Sequence, residues 1–233
     1  GEGLSGTGPK AGGPLALLRL LSRRPADAAR TAVAALGRAS ADRAPGDGTS
    51  HEAGVLAALR AWAVAQGRAA LAMACERFAA ASPAGMAREL LGPTGERNLY
   101  RLLPRGPVLG LAAEAADRLL QLAAVLAVGG RMVWPEAARP LADALPATVR
   151  ACIAIAPGDA LAAEGIDAVL HHGPHDERLA IAQALARRPG AIVGLIALDP
   201  GQADVPLERL VTERSVSINT AAAGGNASLM TLG

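Results

Sequence analysis

Histidines and carboxylates cluster at one place in this 233-residue chain, and their types could support chemistry. His171, His172 and His175 are followed by Asp176 and Glu177, which are side chains that bind metal ions or transfer protons. A glycine and a proline separate the histidines, so they cannot share one helical face as in an H-E-x-x-H zinc motif. The spacing therefore favours a strand that runs into a loop over a metal site, with the histidines at the carboxyl edge of a sheet.

The other chemically active residue types form no complete motif. Cys75 and Cys152 lack C-x-x-C spacing and fall in a helical and a strand-like apolar segment, so we expect structural thiols in a reducing compartment. Gly1, Gly3 and Gly6 match G-x-G-x-x-G, but no strand precedes them and a proline soon follows, which favours a glycine-rich loop over a dinucleotide site. No G-x-S-x-G elbow occurs. The sequence therefore predicts no complete catalytic site.

Composition limits the class of partner. The 23 basic and 21 acidic residues leave a formal charge of +2, too small to indicate a nucleic-acid or membrane surface partner. The most apolar stretch, 108–128, contains Glu114, Asp117 and Arg118, so it predicts an amphipathic helix and no membrane span. The glycine-rich start has no methionine and no signal-peptide pattern. We expect a fragment of a cytoplasmic protein.

Helical and strand-like patterns alternate through most of the chain. Residues 54–81 are rich in alanine and free of proline, which predicts one long helix. From there on, apolar runs separated by helical segments predict a parallel, three-layer α/β sheet, with strands at 98–104, 108–112, 131–134, 152–156, 167–171 and 191–198. The predicted units are 1–22, a linker 23–53, an α/β domain 54–205 and a strand with a small-residue tail 206–233.

Three segments resemble the C-terminal portion of the bifunctional proline utilization A family: GEGLSGTGPKAGGP at the start, GPTGERNLYRLLPRG with AAVLAVGGRMVWP in the middle, and LERLVTERSVSINTAAAGGNASLMTLG at the end. The resemblance covers essentially the whole chain and is weakest across 23–50. It implies an enzyme that oxidises proline with FAD in one module and glutamate semialdehyde with NAD in another. It also implies upstream proline dehydrogenase and aldehyde dehydrogenase modules in the same polypeptide, and a possible homo-oligomer.

The same resemblance implies roles for the first 22 residues. They would be the end of the aldehyde dehydrogenase module, whose glycine-rich loop anchors the substrate's α-carboxylate. On this sequence the anchoring groups would be Ser5, Gly6 and Thr7. The chemistry is sound, because glycines let the backbone approach closely and successive N–H groups form an anion site.

For the rest of the chain, the resemblance implies a Rossmann-like domain that is a degenerate copy of the aldehyde dehydrogenase cofactor-binding half. Where such enzymes have a phosphate turn, this sequence has His172, Pro174 and His175, so we expect no cofactor on this chain alone. The expected role is a non-catalytic lid that seals a channelling cavity. Two alternatives remain open: a residual NAD site near 171–175, and an assembly or regulatory module with the tail as an interaction strand.

Overall fold

The computed structural model describes residues 12–21, 25, 27–39 and 49–219. Its α-helices are α1 (Ala28–Ala34), α2 (Thr49–Ala65), α3 (Ala69–Ala81), α4 (Ala115–Ala127), α5 (Arg139–Asp143), α6 (Ala147–Arg150) and α7 (His175–Ala186). Its strands are β1 (Arg38–Ala39), β2 (Ala87–Leu90), β3 (Glu96–Pro104), β4 (Val108–Ala112), β5 (Met132–Pro135), β6 (Ile153–Ala156), β7 (Ala168–His172), β8 (Gly194–Leu198) and β9 (Val211–Asn219). Short 3₁₀ helices occur at Ala16–Leu20, Glu136–Ala138, Ala160–Ala162 and Leu207–Arg209.

The predicted parallel sheet is confirmed. Its five strands lie in the order β6-β5-β4-β7-β8, and every neighbouring pair is parallel. Helix α4 packs on one face, where Leu122 joins Trp134 and Leu170 in the main core. Helix α7 covers the other face through Ile181 and Leu185. The arrangement is therefore helix, sheet and helix, as expected for strands joined by helical crossovers.

The prediction of one continuous helix over 54–81 is wrong. The chain forms α2 and α3, which pack against each other and are separated by a reversal at Gly67. Gly67 has φ +67°, and the backbone N–H of Arg68 donates to the carbonyl of Ala63. This is a glycine helix ending, in which only a residue without Cβ adopts the left-handed angle without strain.

The structure also contains a second, antiparallel sheet, which the sequence analysis did not predict. Its order is β1-β2-β3-β9, and β3 pairs with β9 over nine residues, from Glu96 opposite Asn219 to Pro104 opposite Val211. The segment 98–104 is a strand as predicted, but it belongs to this sheet and not to the parallel one. Inside it, the Tyr100 hydroxyl donates to the buried Glu213 carboxylate over 2.7 Å. No helix in the described part of the chain is long and apolar enough to span a membrane.

Candidate functional site

The place to look for a ligand is the point where the order of the parallel strands reverses. Strand β4 lies between β5, the next strand along the chain, and β7, which follows much later. In open α/β sheets, ligands bind in the crevice outside the carboxyl ends of the two strands at this point. Here the crevice lies beyond Ala112 of β4 and His172 of β7.

Gln121 of α4 lies between the helix and the face of the sheet, next to this crevice. Its side chain is fully buried, and its Nε2 donates to the carbonyl oxygens of Leu111 at 2.9 Å and Leu170 at 3.1 Å. The same nitrogen lies 2.9 Å from His172 Nδ1. One amide group thus joins β4 and β7, with three acceptors sharing its two hydrogens.

His172 completes the polar contact on the other side. Its ring is buried, and Nε2 lies 2.9 Å from the carbonyl oxygen of Gln202. A carbonyl only accepts, so Nε2 carries the proton and Nδ1 is left as the acceptor that faces Gln121. The partners on both sides therefore match the tautomer with the hydrogen on Nε2.

Residues 199–203, which we call the strap, pass over the carboxyl edge of the sheet. The backbone N–H of Gly201 donates to both carboxylate oxygens of Asp117 in the first turn of α4, at 3.2 and 3.0 Å. Arg178 of α7 forms an ion pair of 2.7 Å with Asp199. Together with the bond from His172, these contacts fix the strap to α4, α7 and β7. The strap thus crosses the carboxyl ends of β4 and β7, above the buried side chains of Gln121 and His172.

The three histidines of the predicted cluster separate in the structure. His171 is buried on the α7 face of the sheet, with Nε2 3.3 Å from Glu177, whereas His172 points to the α4 face. His175 is the exposed first residue of α7. The predicted position of the cluster at the carboxyl end of a strand is correct, but the rings do not converge. No group of three or more His, Cys, Asp or Glu in the described ranges is placed to hold a metal ion.

The described cysteines have the surroundings of structural thiols. Burial raises the pKa of Cys75 to about 11, so the group stays protonated and is a poor nucleophile near neutral pH. Cys152 is half-buried, and its Sγ lies 3.8 Å from the carbonyl oxygen of Thr148.

The predicted anchoring residues Ser5, Gly6 and Thr7 lie outside the described residues, as does the tail from 220 onward. Sequence reasoning missed Gln121 and Asp117 as residues of the crevice. The signal for Gln121 was present, because it is a polar residue inside the apolar run LLQLAAVLA. A polar side chain on the buried face of a helix needs partners, and here they are carbonyl groups of β4 and β7.

Known proteins that are similar to this chain share one name. No protein-family model matches the chain. The bifunctional protein PutA of Salmonella typhimurium is 50% identical over 237 residues, covering 100% of this chain and 18% of the relative. The bifunctional protein PutA of Rhizobium meliloti is 38% identical over 241 residues, with the same two shares.

A solved structure gives the fold only. The crystal structure of proline utilization A from Bdellovibrio bacteriovorus matches with a TM-score of 0.50 and 15% identity, over 63% of this chain and 20% of that chain. The matched part of this chain thus shares the fold of part of that protein. The chain spans about 18% of the length of the curated relatives named above.

Proposed function

We propose, from the relationship of the whole chain to a segment of the PutA proteins, that it is the C-terminal portion of a bifunctional enzyme oxidising proline to glutamate. In that enzyme, FAD would serve the proline dehydrogenase module and NAD the L-glutamate γ-semialdehyde dehydrogenase module. The relatives' shared name and the high identity over the full chain support this assignment. Both modules would be partners of this segment within the same polypeptide.

The α/β domain itself would be a non-catalytic cover for the dehydrogenase module. One observation carries this part of the proposal: the strap is bonded to His172 and to α4 across the carboxyl ends of β4 and β7, where such a sheet would bind a ligand, and Gln121 is buried next to it. A dinucleotide would have to break the bonds that join the strap to His172 and to Asp117, next to the buried amide of Gln121. Binding would therefore cost free energy, because internal hydrogen bonds would be lost and buried polar groups would be left unpaired.

The negative charges in the first turns of α4 and α7 also argue against dinucleotide binding. A pyrophosphate binds at a helix N-terminus through free N–H groups and the positive end of the helix dipole. The first turn of α4 contains Asp117, and that of α7 contains Asp176 and Glu177. These carboxylates would repel a phosphate placed at either helix start.

The test is a titration of the 233-residue chain with NAD, followed by calorimetry and by tryptophan fluorescence. Trp134 is fully buried beside the crevice and Trp62 lies away from it on α2, so a bound ligand would alter the emission. A flat titration is the expected result, while saturable binding would favour a residual NAD site. The variant Asp117→Asn separates the two physical reasons, because binding by this variant alone would mean that charge, not packing, excludes the ligand.

The proposed anchoring role of Ser5 has to be tested in a protein that contains the complete dehydrogenase module. We expect Ser5→Ala in a protein that contains the complete dehydrogenase module to raise KM for glutamate semialdehyde about tenfold, the loss of one charge-assisted hydrogen bond. An aldehyde substrate without an α-carboxylate is the control and should show an unchanged KM. Equal effects on both substrates would contradict the anchoring role.

An assembly role has one specific observation in its favour. Strand β9 is the edge of the antiparallel sheet in the described ranges, and it exposes Val216 by 47% and Ile218 by 40%. An edge strand with apolar side chains pairs readily with another strand. Replacing both residues by serine in the longer enzyme should reduce its oligomer size by light scattering if β9 forms an interface, and unchanged size would remove this role.

A further inference from the structure

We draw no further inference here: the strongest candidate, the open apolar groove between α3 and α4 that is lined by Met73, Leu119 and Leu120, carries no proposal because nothing in the described part of the structure shows what covers it.

Discussion

Gln121 offers the sharpest test of the contacts next to the crevice, because its two side-chain atoms have opposite surroundings. Nε2 faces the carbonyl oxygens of Leu111 and Leu170, whereas Oε1 is buried without a hydrogen-bond partner. Gln121→Glu keeps the shape but puts a carboxylate oxygen against two carbonyl oxygens. Two hydrogen bonds of about 1 kcal/mol each are lost, and a buried charge adds several kcal/mol, so we expect a loss of about 4 kcal/mol or more in the free energy of unfolding.

The matched control is Gln121→Met, which has similar volume and no charge. It loses the same two hydrogen bonds but also removes the unpartnered Oε1, so we expect a smaller loss of about 2 kcal/mol. Urea denaturation followed by circular dichroism and by Trp134 fluorescence measures both values. The difference between the two variants should shrink as the pH falls, because the introduced carboxyl group, once protonated, donates one hydrogen bond and carries no charge.

The reasoning would be refuted if Gln121→Glu unfolds at the same urea concentration as the wild type, or if Gln121→Met is the more damaging change. Either result would mean that the amide does not join the two strands. A loss that is equal in both variants and independent of pH would point to packing alone.

Three further predictions concern the framework around the crevice. Tyr100 is the only tyrosine, and its burial and its bond to Glu213 raise its pKa, so phenolate absorbance should not appear at the ordinary pH near 10. Because the folded state holds the proton more tightly than the unfolded state, the free energy of unfolding should fall as the pH rises above that value. A spectrophotometric titration with an ordinary midpoint would contradict this. Cys75, with its pKa of about 11, should react with a thiol reagent at pH 8 more slowly than Cys152, and equal rates in the folded chain would argue against its burial. Gly67→Ala should cost about 1 kcal/mol in urea denaturation because φ is +67°, whereas Gly54→Ala, within α2 with free space around it, should be neutral or stabilising.

The sequence was sufficient for the parallel sheet because its strands have a strong local pattern. VLGLA and AIVGLIAL are short apolar runs between helical segments, and that alternation indicates a parallel sheet without any knowledge of contacts. The antiparallel sheet was not predicted, since β3 pairs with β9 more than one hundred residues later. An apolar strand pattern shows that a residue is covered, but it does not identify the strand that covers it.

The break between α2 and α3 shows a different limit. Gly67 is one glycine in an alanine-rich segment, and helices tolerate an isolated glycine at a cost of about 1 kcal/mol. What makes it a helix end is the packing of α3 back on α2, with the Arg60 and Glu76 side chains paired across them. Tertiary contact therefore decided between two local structures of similar energy.

Internal side chains and the strap provide hydrogen-bond partners at the switch point of the parallel sheet, where related folds bind a ligand. An open switch point leaves strand-end carbonyls and helix-start N–H groups facing the same gap, and each of these groups needs a partner. Gln121 satisfies the carbonyls of two strands, His172 binds the strap, and Asp117 at the start of α4 accepts the strap's N–H. Side chains thus satisfy two strand carbonyl groups and one N–H of the strap near the position of a ligand. Because these internal partners are mutually bonded, reopening the crevice would require the loss of several contacts together, and a single conservative substitution is not expected to create a working nucleotide site.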